Sequence, residues 1–295
     1  MISMLLTIFS AFELGLGAGY GTLGYKAGEN LPTMNITTSG SWSMTGHVGY
    51  SFFFCDYVGI GVGADITRHG QSAKLNGEQV WSDVTDTDGE LYTHHTRLDG
   101  WKENQQTWYI EVPVSLKFNI PAGPIYVLAE LGGKYGLPIS SSYNGSGDIT
   151  HYGVYGPWAL ELRDMPDHGY YTESGYRPSE KMEGLKNRWS VFGKVGVGIP
   201  LNDWLDLTAQ VYGQYALTSI GEAGGTENLG FLGDRAGQEK AHYFMSDYAS
   251  ITKTNLVNGQ MKPWNIGVEI GLRFVIEHRK KECWPCKVNT GYKQL

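Results

Sequence analysis

Cys283 and Cys286 are separated by two residues, a spacing that can serve redox chemistry, zinc binding or a disulfide. A redox site would need a thioredoxin-like fold around the pair, and the chain shows no sign of one. We therefore predict a disulfide between Cys283 and Cys286. A link to Cys55 is the second alternative and a zinc site with His278 is the third. No metal ion and no cofactor are predicted.

An acidic segment, Asp83-Val-Thr-Asp86-Thr-Asp88-Gly-Glu90, contains carboxylates and a glycine, which are features of calcium loops. The spacing of its carboxylates is incomplete for such a loop. We predict a solvated turn here, with a calcium site as the alternative.

Six histidines fall in segments that we predict to be loops. They are His69, His94, His95, His151, His168 and His242. Loop-borne His, Ser and Asp can carry out hydrolysis or acyl transfer, but no spacing here groups a nucleophile with a base. We assign no catalytic residue and predict that the chain is not an enzyme.

Composition limits the classes of protein to consider. The net charge is -7 and there is no basic stripe, which argues against a nucleic-acid partner. The 41 glycines, 13% aromatic residues and only 18% charged residues indicate many strands and turns. No apolar run reaches the roughly 18 residues of a membrane helix, although membrane strands give a much weaker signal.

Every second residue is apolar in eight segments, which is the period of a β-strand with one apolar face. The predicted strands are residues 12–22, 41–54, 57–67, 106–119, 124–137, 189–199, 204–217 and 263–276. The connections between them alternate between long and short. Long stretches at 68–105, 138–188 and 218–262 are predicted to be loops. This asymmetry is typical of outer-membrane barrels, which have short periplasmic turns and long outer loops.

The apolar face must point outward, because it carries far more side chains than the ~12 that fill the core of an eight-stranded barrel. Aromatic residues then form two belts at the membrane surfaces. Seven fall at the outer level: Trp42, Trp108, Trp189, Trp264, Tyr20, Tyr135 and Tyr215. Four fall at the periplasmic level: Phe12, Phe54, Phe118 and Phe274. The sequence thus predicts an all-β, eight-stranded antiparallel transmembrane barrel.

Charged residues on the opposite face are predicted to lie inside the barrel. They are Glu13, Asp65, Glu111, Lys117, Glu130, Lys134, Lys194, Asp206, Glu269 and Arg273. Charges in a narrow interior must pair or meet water, so we predict a network of salt bridges. A gated pore or a proton path is the alternative, and a general porin is excluded by the strand number.

Residues 12–276 are predicted to form one domain with both termini in the periplasm. Residues 1–11 resemble the apolar core of a secretory signal, with Ser10 and Ala11 near a cleavage point, but lack the usual preceding Lys or Arg. They are either a signal-peptide remnant or an extension of the first strand. Residues 277–295 are predicted to be a periplasmic tail whose basic run, 278–281, contacts lipid headgroups.

The run Trp108-Tyr-Ile-Glu-Val-Pro-Val-Ser-Leu-Lys-Phe118 resembles a strand motif of the PorT-like outer-membrane barrels of Bacteroidota. The next strand, Gly123-Pro-Ile-Tyr-Val-Leu-Ala-Glu-Leu-Gly-Gly-Lys-Tyr135, is similar to that family as well. Pro113 removes a ladder hydrogen bond, so we expect a bulge there. The resemblance implies an outer-membrane location and an OmpA-type barrel, and the named family member serves protein secretion.

Three functions remain from the sequence. The first is an outer-membrane anchor or interaction subunit that uses its outer loops for recognition and has no open pore. Its partners would be outer-membrane lipids and an envelope protein of unknown identity. The second is an accessory of a secretion or outer-membrane assembly machine. The third is an outer-membrane hydrolase or acyltransferase.

Overall fold

The structure is a computed structural model that describes residues 9–28, 33–54, 57–86, 88–224, 250–254 and 256–277. The three cysteines, His242, the basic run 278–281 and residues 1–8 lie outside the described residues, so the predictions that concern them stay predictions. Residues 9–11 belong to the first strand, which begins three residues earlier than predicted.

Eight long antiparallel strands form a closed barrel, as the sequence predicts. We number them β1 to β8 in chain order. They are Phe9–Thr22, Met34–Phe53, Val58–Thr85, Leu91–Ala122, Ile125–Tyr155, Arg188–Asn202, Leu205–Ala216 and Trp264–Glu277. Each strand pairs with the next, and β8 pairs with β1 without a register shift from Phe9↔Glu277 to Thr22↔Trp264. Closure leaves no open strand edge at this level.

One end of the barrel carries short connections, as predicted. Residues 54–57, 123–124 and 203–204 join β2 to β3, β4 to β5 and β6 to β7. We call this the turn end.

Of the three long stretches predicted as loops at the opposite end, 68–105 is almost entirely strand, and 138–188 is barrel strand as far as residue 155. Most of residues 68–105 continues β3 and β4, which run for 28 and 32 residues and leave a connection of only residues 86–90. Residues 138–155 likewise continue β5. A strand crosses a bilayer with about 9–11 residues, so about twenty residues of β4 project beyond it. These segments were missed because their apolar face changes sides where the strands leave the membrane.

The predicted bulge at Pro113 is wrong. The pairs Val62↔Val114 and Asp65↔Glu111 belong to one register. Between these two pairs the ladder of β3 and β4 is interrupted without a register shift. On its other side Pro113 pairs with Lys134 in register. The missing N–H therefore interrupts one ladder without inserting an extra residue.

The projecting parts of the strands form a second layer, which we call the tower. It consists of the described residues of 23–41, 69–107, 139–187 and 217–263. Short strands complete it: Lys26–Ala27, Leu160–Leu162, Thr172–Tyr176, Ser179–Glu180, Glu222–Ala223 and Val257–Gln260. Three 3-10 turns, Gly156–Trp158, Pro166–His168 and Ile251–Lys253, lie between them. Among the described residues, no helix has the length and hydrophobicity needed to cross a membrane.

The outer face of the barrel below the tower is apolar and exposed, as expected for a membrane-spanning barrel. Val114, Leu131 and Ile270 are each more than 60% exposed, whereas the polar residues beside them in sequence point inward. Inside the tower the arrangement is reversed, and Leu75, Leu98 and Trp101 belong to a buried apolar core.

Candidate functional site

The ten charged residues assigned to the interior all face the inside of the barrel, and all but Glu13 are buried. We call this space, at the level of the membrane, the lumen. The alternating pattern of each strand places them there, because the neighbouring residues carry the lipid-facing side chains. Contacts across the lumen join side chains from strands that are far apart in sequence.

Near the turn end, Lys117 of β4 contacts Glu13 of β1 and lies 3.5 Å from Glu130 of β5. Ser115 donates a 2.6 Å hydrogen bond to Glu130. Arg273 donates to the Asn119 side chain at 3.1 Å. Lys117 is therefore the partner of two carboxylates. Each of these charges needs such a partner because it has lost most of its contact with water.

In the middle of the lumen Lys194 of β6 lies 2.8 Å from Glu269 of β8. Asp65 is held between two groups, the Nδ1 atom of His47 at 2.5 Å and the Nζ atom of Lys134 at 2.6 Å. His47 was not assigned to the interior network from the sequence. Its position on the polar face of β2, in step with Thr45, is the signal that could have placed it there.

At the tower side of the lumen, Glu111 and Arg188 form a pair in which both side chains are fully buried, with an N–O distance of 2.7 Å. Glu111 also accepts hydrogen bonds from Thr67 and Gln214 at 2.7 and 2.8 Å. The same nitrogen, Nη2 of Arg188, also lies 2.7 Å from Nε2 of His69. Held by several hydrogen bonds, this pair closes the top of the lumen.

Arg188 and His69 were both assigned to loops from the sequence, and that assignment is wrong. Arg188 begins β6, and its inward direction follows from Trp189, which faces lipid. His69 lies within β3, one residue beyond the Arg68↔Trp108 pair. The alternation of inward and outward residues along β3 and β6 would have predicted that both side chains point into the barrel.

Glycines make room for the large side chains of the lumen. A Cβ atom added at Gly17 would lie 2.8 Å from the ring of Tyr212, and one at Gly61 would lie 2.4 Å from Cε of Lys117. The enclosed space that remains beside Glu13, His47 and Lys117 is about 30 Å³. A volume of that size holds about one water molecule. The lumen is therefore filled by side chains at this level.

The tower holds an apolar core of its own, directly above the lumen. Buried residues of β2 to β5 and of the connections that follow β1, β5 and β7 contribute to it, including Trp101, Tyr109, Ile149, Ile220 and Ile251. Burying such side chains away from water stabilises a folded extension that lipid does not surround. A charge or solute leaving the lumen in this direction would have to cross this core.

Polar side chains of the long strands hold the two neighbouring connections in place. The fully buried Glu103 accepts hydrogen bonds from the Ser250 hydroxyl at 2.7 Å and from the Ile251 N–H at 3.0 Å. Gln71 accepts from the backbone of Leu23 at 2.9 Å and donates to the Tyr25 carbonyl at 3.0 Å. Because β1 and β8 are short, these bonds attach their outer connections to the inner wall of the tower.

An aromatic and histidine cluster occupies the far end of the tower. His94 and His151 are fully buried, and Nε2 of His94 lies 3.3 Å from Nδ1 of His151. Burial, together with the neighbouring His151, lowers the pKa of His94 to about 3. Burial also lowers the pKa of His151 to about 4. Both rings are therefore neutral near pH 7. His94 packs beside Tyr92 and Tyr170, and His151 packs beside Tyr171.

The acidic segment 83–90 contains the end of β3 and the turn that joins it to β4. One oxygen of the Asp86 carboxylate accepts the backbone N–H groups of Asp88 and Glu90, each at 2.9 Å. The Tyr155 hydroxyl donates to the other oxygen at 2.9 Å. Burial opposes ionisation, but these hydrogen bonds lower the pKa of Asp86. In the part of the chain that the structure describes, no group of three or more His, Cys, Asp or Glu could hold a metal ion.

The remaining tower histidines lie at separate positions. His95 stacks on Tyr152, with ring centroids 4.6 Å apart, and lies 3.3 Å from Glu78. His168 stacks on Tyr170 at 6.4 Å.

The residues assigned to the aromatic belts lie at matching levels on the outer face. Tyr20 pairs with Trp42, Tyr135 with Trp189, and Tyr215 with Trp264. Phe12 pairs with Phe274 near the turn end, where Phe54 and Phe118 are also at least 37% exposed. Trp108 and Tyr135 are half-buried on this face.

No protein-family model matches the chain, and no curated protein is similar to it in sequence. The similarity to PorT-like barrels therefore stays a prediction. Solved structures with a similar arrangement are outer-membrane barrels. OprG from Pseudomonas aeruginosa is 11% identical with a TM-score of 0.37, and the match covers 94% of this chain and 100% of OprG. Neisserial surface protein A is 12% identical with a TM-score of 0.31, covering 90% and 96% of the two chains.

Ail of Yersinia pestis, solved with the heparin analogue sucrose octasulfate, is 8% identical with a TM-score of 0.30. That match covers 90% of this chain and 99% of Ail. These low scores carry no argument about what the present chain binds. Its own strand order and register are what define it as an eight-stranded antiparallel barrel with a lipid-facing exterior.

Proposed function

We propose that the chain is an outer-membrane anchor that presents a rigid extracellular tower as a recognition surface for an envelope or surface partner. One observation carries this proposal. Three strands continue far beyond the length that a bilayer requires and enclose a second apolar core, while the lumen below is filled. A folded layer of this size outside the membrane supports binding, because a rigid scaffold positions recognition residues.

The closed lumen supports a role without solute passage. Charges in the lumen are paired across it, and the core that contains Trp101 and Ile251 lies above them. Full burial keeps His94 and His151 away from any substrate, so we also propose that binding rather than catalysis is the activity.

A secretion accessory is the second candidate, supported by the motif from Trp108 to Phe118 and its likeness to PorT-like barrels of Bacteroidota. In that case the partner would be a membrane or periplasmic subunit. Contacts would then involve the lipid-facing wall or the turn end rather than the tower.

Shortening the tower tests the first proposal against the second. Residues 76–100 would be replaced by Asn-Gly, a two-residue hairpin turn, which leaves the Leu75↔Trp101 pair in place. Both forms would be solubilised from native membranes, and a heat-dependent gel shift would confirm folded barrels. A stoichiometric complex that is lost in the short form supports recognition by the tower.

A complex that survives shortening but is lost after changes at residues 123–124 or 203–204 would instead favour the secretion accessory. Planar bilayers provide the other measurement. The intact chain should give no stepwise conductance, and a steady open-channel current would contradict the closed lumen.

A further inference from the structure

The aromatic cluster at the far end of the tower reaches the surface at one place. Tyr92 stacks on Tyr155 with ring centroids 5.2 Å apart, and Tyr155 contacts Trp158 at 6.1 Å. Trp158 is 57% exposed, and Leu160 and Met165, which follow it closely in the sequence, are exposed as well. We call these three residues the tip patch. Single exposed apolar residues are ordinary, but an exposed Trp that continues a buried aromatic cluster through ring contacts indicates an interaction surface.

The tip patch borders the free edge of a sheet. The strand Leu160–Leu162 pairs with Gly153, Val154 and Tyr155 of β5, and no second neighbour lies among the described residues. An unpaired strand edge offers backbone N–H and C=O groups to another extended chain. Addition of a strand from a partner is a recurring mode of peptide recognition.

Charge around the tip patch is mainly negative. Glu161 and Asp164 lie within four residues after Leu160, and the one cation between them, Arg163, is paired with Glu161. The acidic turn 86–90 is attached to the same cluster through the bond from Tyr155 to Asp86. Complementary charge steers a partner and suppresses wrong ones, so this surface favours a cationic chain.

We propose that the tower tip binds an extended cationic polypeptide segment, which adds as a strand beside Leu160–Leu162 and places an apolar side chain on Trp158. This inference deepens the proposed function and rests on it, because it assumes that the tower is the recognition surface. Backbone pairing supplies affinity, the tip patch holds one apolar side chain, and the acidic residues select Lys and Arg.

The test uses the full chain in detergent micelles and three fluorescent ten-residue probes. The first alternates Lys and Val, the second alternates Glu and Val, and the third is the Lys-Val peptide with one central Val replaced by Pro. Only the first should bind, and its binding should weaken as salt is added. Pro removes a backbone donor and so should prevent strand addition.

Variants locate the site on the tower. Trp158→Ser should weaken binding of the Lys-Val peptide by about tenfold or more, since a buried Trp is a typical hot spot. The double change Glu161→Gln with Asp164→Asn should weaken it severalfold and reduce its salt dependence. Val80→Ser and Asp99→Asn change exposed residues elsewhere on the tower and should leave binding unchanged.

A heat-dependent gel shift would confirm that every variant is folded. Equal binding of the Glu-Val or Pro-containing peptide would overturn the proposal, as would unchanged binding by the tip variants. A self-associating chain whose oligomer is lost in Trp158→Ser would assign the edge to a second copy instead. If the native complex depends on the tower but not on Trp158, this inference fails while the proposed function stands.

Discussion

The lumen and the tower are built from the same strands with opposite polarity. Along β4 the inward residues Glu111, Ser115 and Lys117 are polar within the membrane, whereas Leu98 and Trp101 are the inward residues of the tower. The outward side changes in the reverse sense, from apolar to polar. Strand geometry is continuous, so the difference lies in the surrounding solvent.

Strand β5 shows how register is adjusted between the two regions. Trp108 pairs with Ser140 but Tyr109 pairs with Pro138, which leaves Ile139 as an extra residue. Within the membrane the inward residues of β5 have even numbers, such as Glu130 and Lys134, and beyond Ile139 they have odd numbers. The bulge thus rephases the strand at the boundary between lipid and water.

The largest effect is expected when one member of a buried ion pair is removed from the lumen. Arg188→Met leaves Glu111 without its main cation, so the free energy of unfolding should fall by about 3–5 kcal/mol. Urea unfolding followed by gel shift would measure it. Arg163→Met breaks an exposed pair on the tower and should cost less than about 1 kcal/mol. Equal losses would show that the two regions treat charge alike.

A charge added to the outer face should also change the free energy of unfolding by different amounts in the barrel and in the tower. Val112→Arg places a guanidinium against lipid and should cost about 2–4 kcal/mol, because that position lies between the belt residues Trp108 and Phe118 on the exposed face of β4. Asn144→Arg adds the same group to the exposed face of the tower and should change stability by less than about 0.5 kcal/mol. A similar cost at both positions would contradict the assignment of Val112 to the lipid face.

A smaller effect is expected where the tower holds its neighbouring connection. Glu103→Gln replaces a carboxylate that accepts bonds from Ser250, Ile251 and Gln105, so it should cost about 1–3 kcal/mol. Hydrogen exchange should rise at residues 250–254 and not at the Glu111 level. The exposed change Glu183→Gln is the matched control. Uniform exchange across the barrel would argue against a local role.

The last test is of another kind, because it changes the pH instead of a side chain. His94 and His151 have folded pKa values near 3 and 4, below the ordinary value of 6.5, so the unfolded state binds more protons between these limits. The stability of the tower should therefore be complete above about pH 6.5 and decline as pH falls toward 4. Protease cleavage within 91–99 would report it. His94→Phe should flatten the decline, whereas His168→Phe, which changes a partly buried histidine, should not.

The sequence was sufficient for the barrel because lipid imposes a strict two-residue period on each spanning segment. It failed for the tower because segments such as 68–75, with Ala73 and Leu75 inward and Lys74 outward, look like polar loops when apolar residues are expected to face out. Partners in the lumen could not be predicted either. Glu111 and Arg188 are 77 positions apart, and only closure of the barrel brings them together.

The fit between Gly17 and the Tyr212 ring has a consequence for how this interior can change over evolutionary time. A methyl group on the first residue would collide with the second, yet shrinking the ring alone would open a void. A substitution at either position is therefore tolerated only when the other position changes its side-chain volume in the opposite direction. Among homologues, substitutions at 17 and 212 should be correlated, with small residues at one position accompanying large ones at the other.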